Sequence, residues 1–209
     1  MKQPEVLFVD WDGTLSRSKF WEGCDPSVLA PNALDQFKTY LFKGSPDFVR
    51  LWMRGDYTSR HVVGMLATQF SLDPTALHNE LKASCQRMRF VDDDLPDKIT
   101  RIRGQGTKVV IATDNMDTFT KWTAPALDLN SLVDGILSSY HLRALKADMH
   151  GLHSPFFSDY LSTQSIDPTQ AVLLDDGPHN AVVTSLGMQF VHITPDRPIG
   201  AALDAFIKT

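Results

Sequence analysis

Cysteine is scarce in this chain: Cys24 and Cys85 are the only two among 209 residues. Two are too few for the disulfide framework of a secreted protein, so the expectation is a reducing, cytoplasmic compartment. Long apolar runs are missing as well. None approaches the roughly 18 residues that a membrane span needs, and no membrane partner is expected. The apolar run Val6–Val9 near the N-terminus is too short for a secretory leader and is flanked by Glu5 and Asp10. Basic charge is not in excess either, with 20 Lys and Arg against 25 Asp and Glu and a net charge of −5. That balance argues against a nucleic-acid polymer as partner. Internal repeats and low-complexity linkers are likewise absent. With 43% hydrophobic and 22% charged residues, what remains is an ordinary globular chain, long enough to bury its own core.

Four short apolar runs each end in polar residues. They are Val6–Val9 before Asp10, residues 109–112 before Thr113, 136–137 before Ser138, and 171–174 before Asp175. Unbroken apolar runs of this length, without alternation, predict strands buried on both faces of a parallel sheet. A fifth run, 190–193, precedes Thr194-Pro195 and predicts an edge strand. Helical patterns lie between the later runs, at 95–103, 117–124, 155–161 and 178–186, the first closed by Gly104 and the last by Gly187. Strand and helix in alternation predict an α/β fold with a doubly wound, mostly parallel, Rossmann-like sheet.

Residues 16–94 break the alternation. Leu34, Phe37 and Leu41 share one helical face, and Val62, Val63, Leu66 and Phe70 share another. Ser45-Pro46-Asp47 reads as a helix start with Ser45 as N-cap, and Gly55 as the stop. Asp73-Pro74 opens a further helix with Leu77, Leu81, Cys85 and Met88 along one side. The expectation is a catalytic core of residues 1–15 and 95–209, interrupted by an α-helical bundle cap over 16–94.

The chemistry-bearing residues sit where the strands end. Asp10-Trp11-Asp12-Gly13-Thr14 follows the first strand, Thr113-Asp114-Asn115 the second, and Asp175-Asp176-Gly177 the fourth, while Lys146 comes soon after the third. In open α/β sheets ligands bind at the carboxyl edge, so these groups converge on one crevice. Singly, each has an ordinary explanation: an acidic pair before glycine is a turn, a hydroxyl after a strand is a helix cap, and a lone lysine is a solvated side chain. Their joint order, each in its structural slot, is what points to a site.

That order resembles the haloacid dehalogenase-like (HAD) hydrolases. Asp10-Trp11-Asp12-Gly13-Thr14-Leu15 is similar to their first motif, residues 109–113 with Asp114-Asn115 to the second, Lys146 to the lysine of the third, and Val172-Leu173-Leu174-Asp175-Asp176 to the fourth. The helical insertion resembles the family's cap, so the likeness spans nearly the whole chain. It implies a Mg²⁺-dependent phosphatase acting on a small phosphorylated metabolite through an aspartyl-phosphate on Asp10, with Asp12 as general acid and base. Thr113, Asp114 and Lys146 would bind the phosphoryl group. Asp10, Asp175, Asp176 and a main-chain carbonyl, of Trp11 or alternatively Asp12, would hold the metal. The family's third-motif lysine is often followed by proline, whereas Ala147 stands here, which leaves Arg143 as a rival cation. Dehalogenases of the family carry a non-acidic residue where Asp12 stands, so the resemblance favours phosphoryl transfer.

Other readings stay open at this level. A phosphomutase would pass the phosphoryl group to a second substrate hydroxyl, and a non-catalytic relative would merely bind phosphate. A response-regulator receiver domain uses similar residues, but its phosphoacceptor lies on a later strand and no helical bundle interrupts it. His150 and His153 read as solvated loop histidines, and Asp92-Asp93-Asp94 as a solvated hinge. Phe20, Trp21, Phe48, Trp52 and Phe70 read mainly as the core of the cap.

Overall fold

A computed structural model of the chain describes residues 3–208. Its five strands are β1 (Val6–Val9), β2 (Lys108–Thr113), β3 (Gly135–Ser138), β4 (Ala171–Asp175) and β5 (Gln189–His192). They form one sheet in the order β3-β2-β1-β4-β5, and every pairing is parallel. The run at 190–193 becomes β5 and lies at the sheet edge, as its sequence predicts. The three central strands are buried on both faces, which is why they read as continuous apolar runs.

Alternate residues of those strands feed two separate cores. Leu7, Val9, Val109, Ile111, Val172 and Leu174 face one side, where helix Leu95–Gly104 supplies Leu95, Ile99 and Ile102. Val6, Phe8, Val110, Ala112, Ala171 and Leu173 face the other and meet Phe156, Phe157 and Leu161. The Phe8 and Phe157 rings meet edge to face with centroids 5.3 Å apart, a favoured aromatic geometry. Helices on both faces of a parallel sheet make this the doubly wound α/β arrangement.

Between β1 and the Leu95–Gly104 helix the chain forms α1 (Pro31–Lys38), α2 (Pro46–Met53), α3 (Ser59–Phe70) and α4 (Pro74–Gln86). Asp73 caps α4 by accepting from Ala76 N–H at 2.6 Å, and Thr58 caps α3 by accepting from His61 N–H at 3.3 Å. Phe37, Leu41, Trp21, Trp52, Leu66, Leu77 and Leu81 are buried among these helices, in a core continuous with the Leu95–Gly104 side of the sheet.

Three local expectations are corrected. The helix expected to carry Leu34, Phe37 and Leu41 is regular only to Lys38 and then widens over Thr39–Lys43, where Gly44 N–H reaches the Thr39 carbonyl at 2.9 Å. Pro46 starts α2, but the Ser45 side chain makes no capping hydrogen bond. The helical pattern at 117–124 is likewise realised as a wide turn, Phe119–Thr123, running into the short helix Ala124–Ala126. Among the described residues no helix is long and apolar enough to cross a membrane.

Candidate active site

Strand register builds the acidic centre. Val9 of β1 pairs with Leu174 of β4, and Asp10 N–H donates to the Leu174 carbonyl at 3.0 Å. The next residue of each strand is therefore an aspartate, and the two carboxylates become neighbours at the carboxyl edge. Gly13, with φ of +83°, then turns the chain so that Asp176 packs beside the loop. Oxygens of Asp10, Asp175 and Asp176 lie within 4.8 Å of one another.

Lys146 closes this cluster from the loop after β3. Its Nζ is 2.9 Å from Asp10 Oδ1 and also donates to Asp175 Oδ2. All three side chains are buried. Burial pushes the Asp10 carboxyl up to about 7, with Asp175 adding to the rise and Lys146 opposing it. Burial alone would lower the Lys146 ammonium, but Asp10, Asp175 and Asp114 outweigh it and drive its pKa up. Burial, reinforced by Asp175, also raises Asp176. One lysine thus compensates three carboxylates incompletely, and the excess negative charge is what a hard divalent cation neutralises.

Arg143 does not reach this centre. It turns outward to donate to the Gly55 carbonyl at 3.1 Å and to Asp56. Nearby, Arg54 pairs with Asp148, so two arginine links tie the end of α2 to the loop after β3. The cation brought to Asp10 is Lys146.

The remaining predicted residues take distinct positions. Thr113 is fully buried at the end of β2, and its hydroxyl has no hydrogen-bond partner among the described residues. Asp114 accepts from Lys146 N–H at 3.0 Å, so its carboxylate braces the lysine loop and its own N–H is the group suited to an anion. Asp12 is largely exposed and bonds Lys19 Nζ at 2.9 Å. The Trp11 carbonyl already accepts from Ser16 N–H at 2.8 Å.

Two residues near the centre are not singled out by the sequence, although both lie in stretches that adjoin its motifs. Lys19 falls in the stretch that follows the first motif, where nothing but proximity marks it. His179 lies within the Asp-Asp-Gly-Pro-His-Asn tract, with Nε2 3.9 Å from Asp175 Oδ1. Burial and the nearby Lys146 lower its pKa. His150 and His153 stay in an exposed turn, with His153 on Asp159 at 3.0 Å.

Beside Asp12 and Lys19 a cavity of about 340 Å³ opens between the sheet edge and the helical bundle. Trp11, Asp114 and Asn115 line its sheet side, and Phe20, Met53 and Met88 lie among the residues opposite.

No family model and no curated protein matches the sequence. Solved structures do match in shape. An L-2-haloacid dehalogenase from Xanthobacter autotrophicus, with chloropropionic acid covalently bound, is similar with a TM-score of 0.64 at 12% identity, over 99% of this chain and 85% of that one. A predicted HAD-like family hydrolase from Porphyromonas gingivalis gives 0.69 at 13% identity, over 99% and 100%. A HAD family enzyme from Bacteroides thetaiotaomicron, in complex with magnesium and inorganic phosphate, gives 0.64 at 15% identity, over 91% and 94%. The likeness at these identities is one of fold, and it runs along nearly the whole chain.

Proposed function

We propose that the protein is a Mg²⁺-dependent phosphatase that hydrolyses a small phosphomonoester in the cytoplasm through an aspartyl-phosphate on Asp10. The observation that carries this reading is the buried Asp10 carboxylate, held by Lys146 at 2.9 Å and flanked by Asp175 and Asp176, with Asp12 two residues along at the cavity. The same fold serves dehalogenases and phosphate-bound enzymes alike. Asp12 favours phosphoryl transfer, because an alcohol leaving group needs a proton and a halide does not.

The donor set suits the metal. Asp10, Asp175 and Asp176 are hard oxygen ligands, and the Asp12 carbonyl is the better main-chain candidate because that of Trp11 is taken by Ser16. When bound, Mg²⁺ would offset the charge of carboxylate and phosphate and polarise the phosphoryl oxygens.

The chain's own residues account for the rest. Asp10 Oδ would attack phosphorus, forming the acyl-phosphate bond as the ester P–O bond breaks. Lys146 favours the ionised form of the attacking carboxylate against the burial that raises it, and would neutralise the incoming phosphoryl oxygens. The unpartnered Thr113 hydroxyl and the Asp114 N–H would donate to those oxygens. Asp12 would protonate the departing alkoxide and then take a proton from the water that cleaves the intermediate. The bundle of residues 16–94 would act as the cap, screening the intermediate from bulk water.

The test is phosphate release from an aryl phosphate with Mg²⁺ and with chelator. Wild type releases phosphate only with the metal, and Asp10→Asn loses at least about 1,000-fold, since it removes the nucleophile. An Asp10→Asn variant at the wild-type rate removes Asp10 from the mechanism.

A further inference from the structure

The cavity beside Asp12 has an unusual inventory. Three of the chain's seven methionines, Met53, Met88 and Met116, line it together with Phe20, Phe42 and Val49. Most of its polar side chains already hold one protein partner. Asp12 and Lys19 bond each other at 2.9 Å, Asp114 accepts from Lys146 N–H at 3.0 Å, and Asn115 Oδ1 accepts from Met116 N–H at 2.9 Å. Ser18 Oγ accepts from Arg89 N–H at 3.2 Å. Lys38, half-buried at the end of α1, also lines the cavity and makes no ion pair among the described residues.

This inventory restricts what can leave. A polyol brings several hydroxyls that must all find partners, and each one buried without a partner is costly. Beyond the remaining donors of Asn115, Ser18 and Lys19, few groups are present to receive them. About 340 Å³ lies at the small end of the roughly 300–1,000 Å³ of ligand pockets, which disfavours a nucleotide. Methionine-rich walls instead adapt to flat or branched apolar groups. Resting on the phosphatase reading above, we propose that the substrate is a compact phosphomonoester whose alcohol half is apolar and carries a second negative charge, met by Lys38.

Four substrates test this with Mg²⁺ present: cyclohexylmethyl phosphate, glucose 6-phosphate, phenyl phosphate and 4-carboxyphenyl phosphate. The cyclohexylmethyl ester should exceed the hexose ester in kcat/KM by about 100-fold, the scale on which apolar pockets reject added hydroxyls, and both are primary alkyl esters with similar leaving groups. The carboxylated aryl ester should exceed its uncharged parent by about fivefold, as for a partly exposed ion pair. Lys38→Met should bring that second ratio to about one. Each ratio is internal to one protein, so partial unfolding of the variant cannot mimic the change. Equal rates for the cyclohexylmethyl and hexose esters, or a carboxylate preference that survives Lys38→Met, overturns the proposal while leaving the phosphatase reading intact. If none of the four releases phosphate, the phosphatase reading fails and takes this substrate class with it.

Discussion

Asp117 ties the sheet to the helical bundle, and removing its carboxylate should loosen both. The residue is fully buried at the start of the helical segment after β2. It accepts from Trp52 Nε1 at 3.0 Å, from Ser59 N–H at 3.0 Å, from Ser59 Oγ at 2.9 Å and from Lys121 Nζ at 2.8 Å. Trp52 and Ser59 are themselves buried, whereas half of the Lys121 side chain is exposed and can turn to water. Asp117→Ala therefore strands three buried donors at about 1–3 kcal/mol each, partly offset because a buried anion disappears with them. The expected loss is about 4 kcal/mol. Urea unfolding followed by tryptophan fluorescence reads it directly. At a slope of roughly 2 kcal/mol/M, the midpoint falls by about 2 M. Asp117→Asn keeps one acceptor oxygen and should lose about half as much.

The pH dependence of the same network is a second signature. Burial raises the Asp117 carboxyl, but the hydrogen bonds from Lys121, Trp52 and Ser59 outweigh it and hold the pKa below the usual 3.8. A pKa depressed on folding adds stability that is fully present above 3.8 and lost as pH falls through the lower folded value. The gap between wild type and Asp117→Asn should consequently narrow below pH 4. An Asp117→Ala midpoint within about 0.25 M of wild type, roughly 0.5 kcal/mol, would refute the role assigned to these bonds.

What could be read beforehand divides along physical lines. The strands were legible because burial on both faces removes polar alternation, as Val6–Val9 and residues 171–174 show. Asp73 was legible as a cap because the capping bond spans only three residues. The neighbourhood of Asp10 and Asp175 was legible as convergence on one edge, but their contact comes from β1 lying next to β4, a tertiary fact. Asp117 had no such signal, since its partners Trp52 and Ser59 lie 65 and 58 positions away. The sequence favoured Lys146 by its likeness to the third motif but left Arg143 as a rival. The choice is decided by which cation is buried against two carboxylates and which is drawn off by Asp56 and Gly55. Ser45 shows the reverse failure, where a good local pattern starts a helix without the hydroxyl bond that normally accompanies it.

Two further predictions concern the acidic centre. Saturating Mg²⁺ should raise the melting temperature, because a ligand at 100 times its Kd adds about 2.7 kcal/mol. For a chain of this size that is roughly 5–10 °C, Asp175→Asn should erase it, and identical wild-type melts with Mg²⁺ and with EDTA would remove the metal from the reading. Gly13→Ala probes how tightly the loop and the cluster interlock. Gly13 has φ of +83°, and an added Cβ would lie 2.1 Å from Asp176 Oδ2 and 2.5 Å from its Cγ. Gly106 is the natural control, with φ of +91° but nothing within 4 Å of its Cβ position. Both alanine variants carry the backbone strain, about 1–3 kcal/mol, and both should melt lower. Only Gly13→Ala also displaces Asp176 from Asp10 and Asp175, so only it should lose part of the Mg²⁺-induced rise. Equal Mg²⁺-induced rises in the two variants would mean that Asp176 contributes nothing to holding the cation.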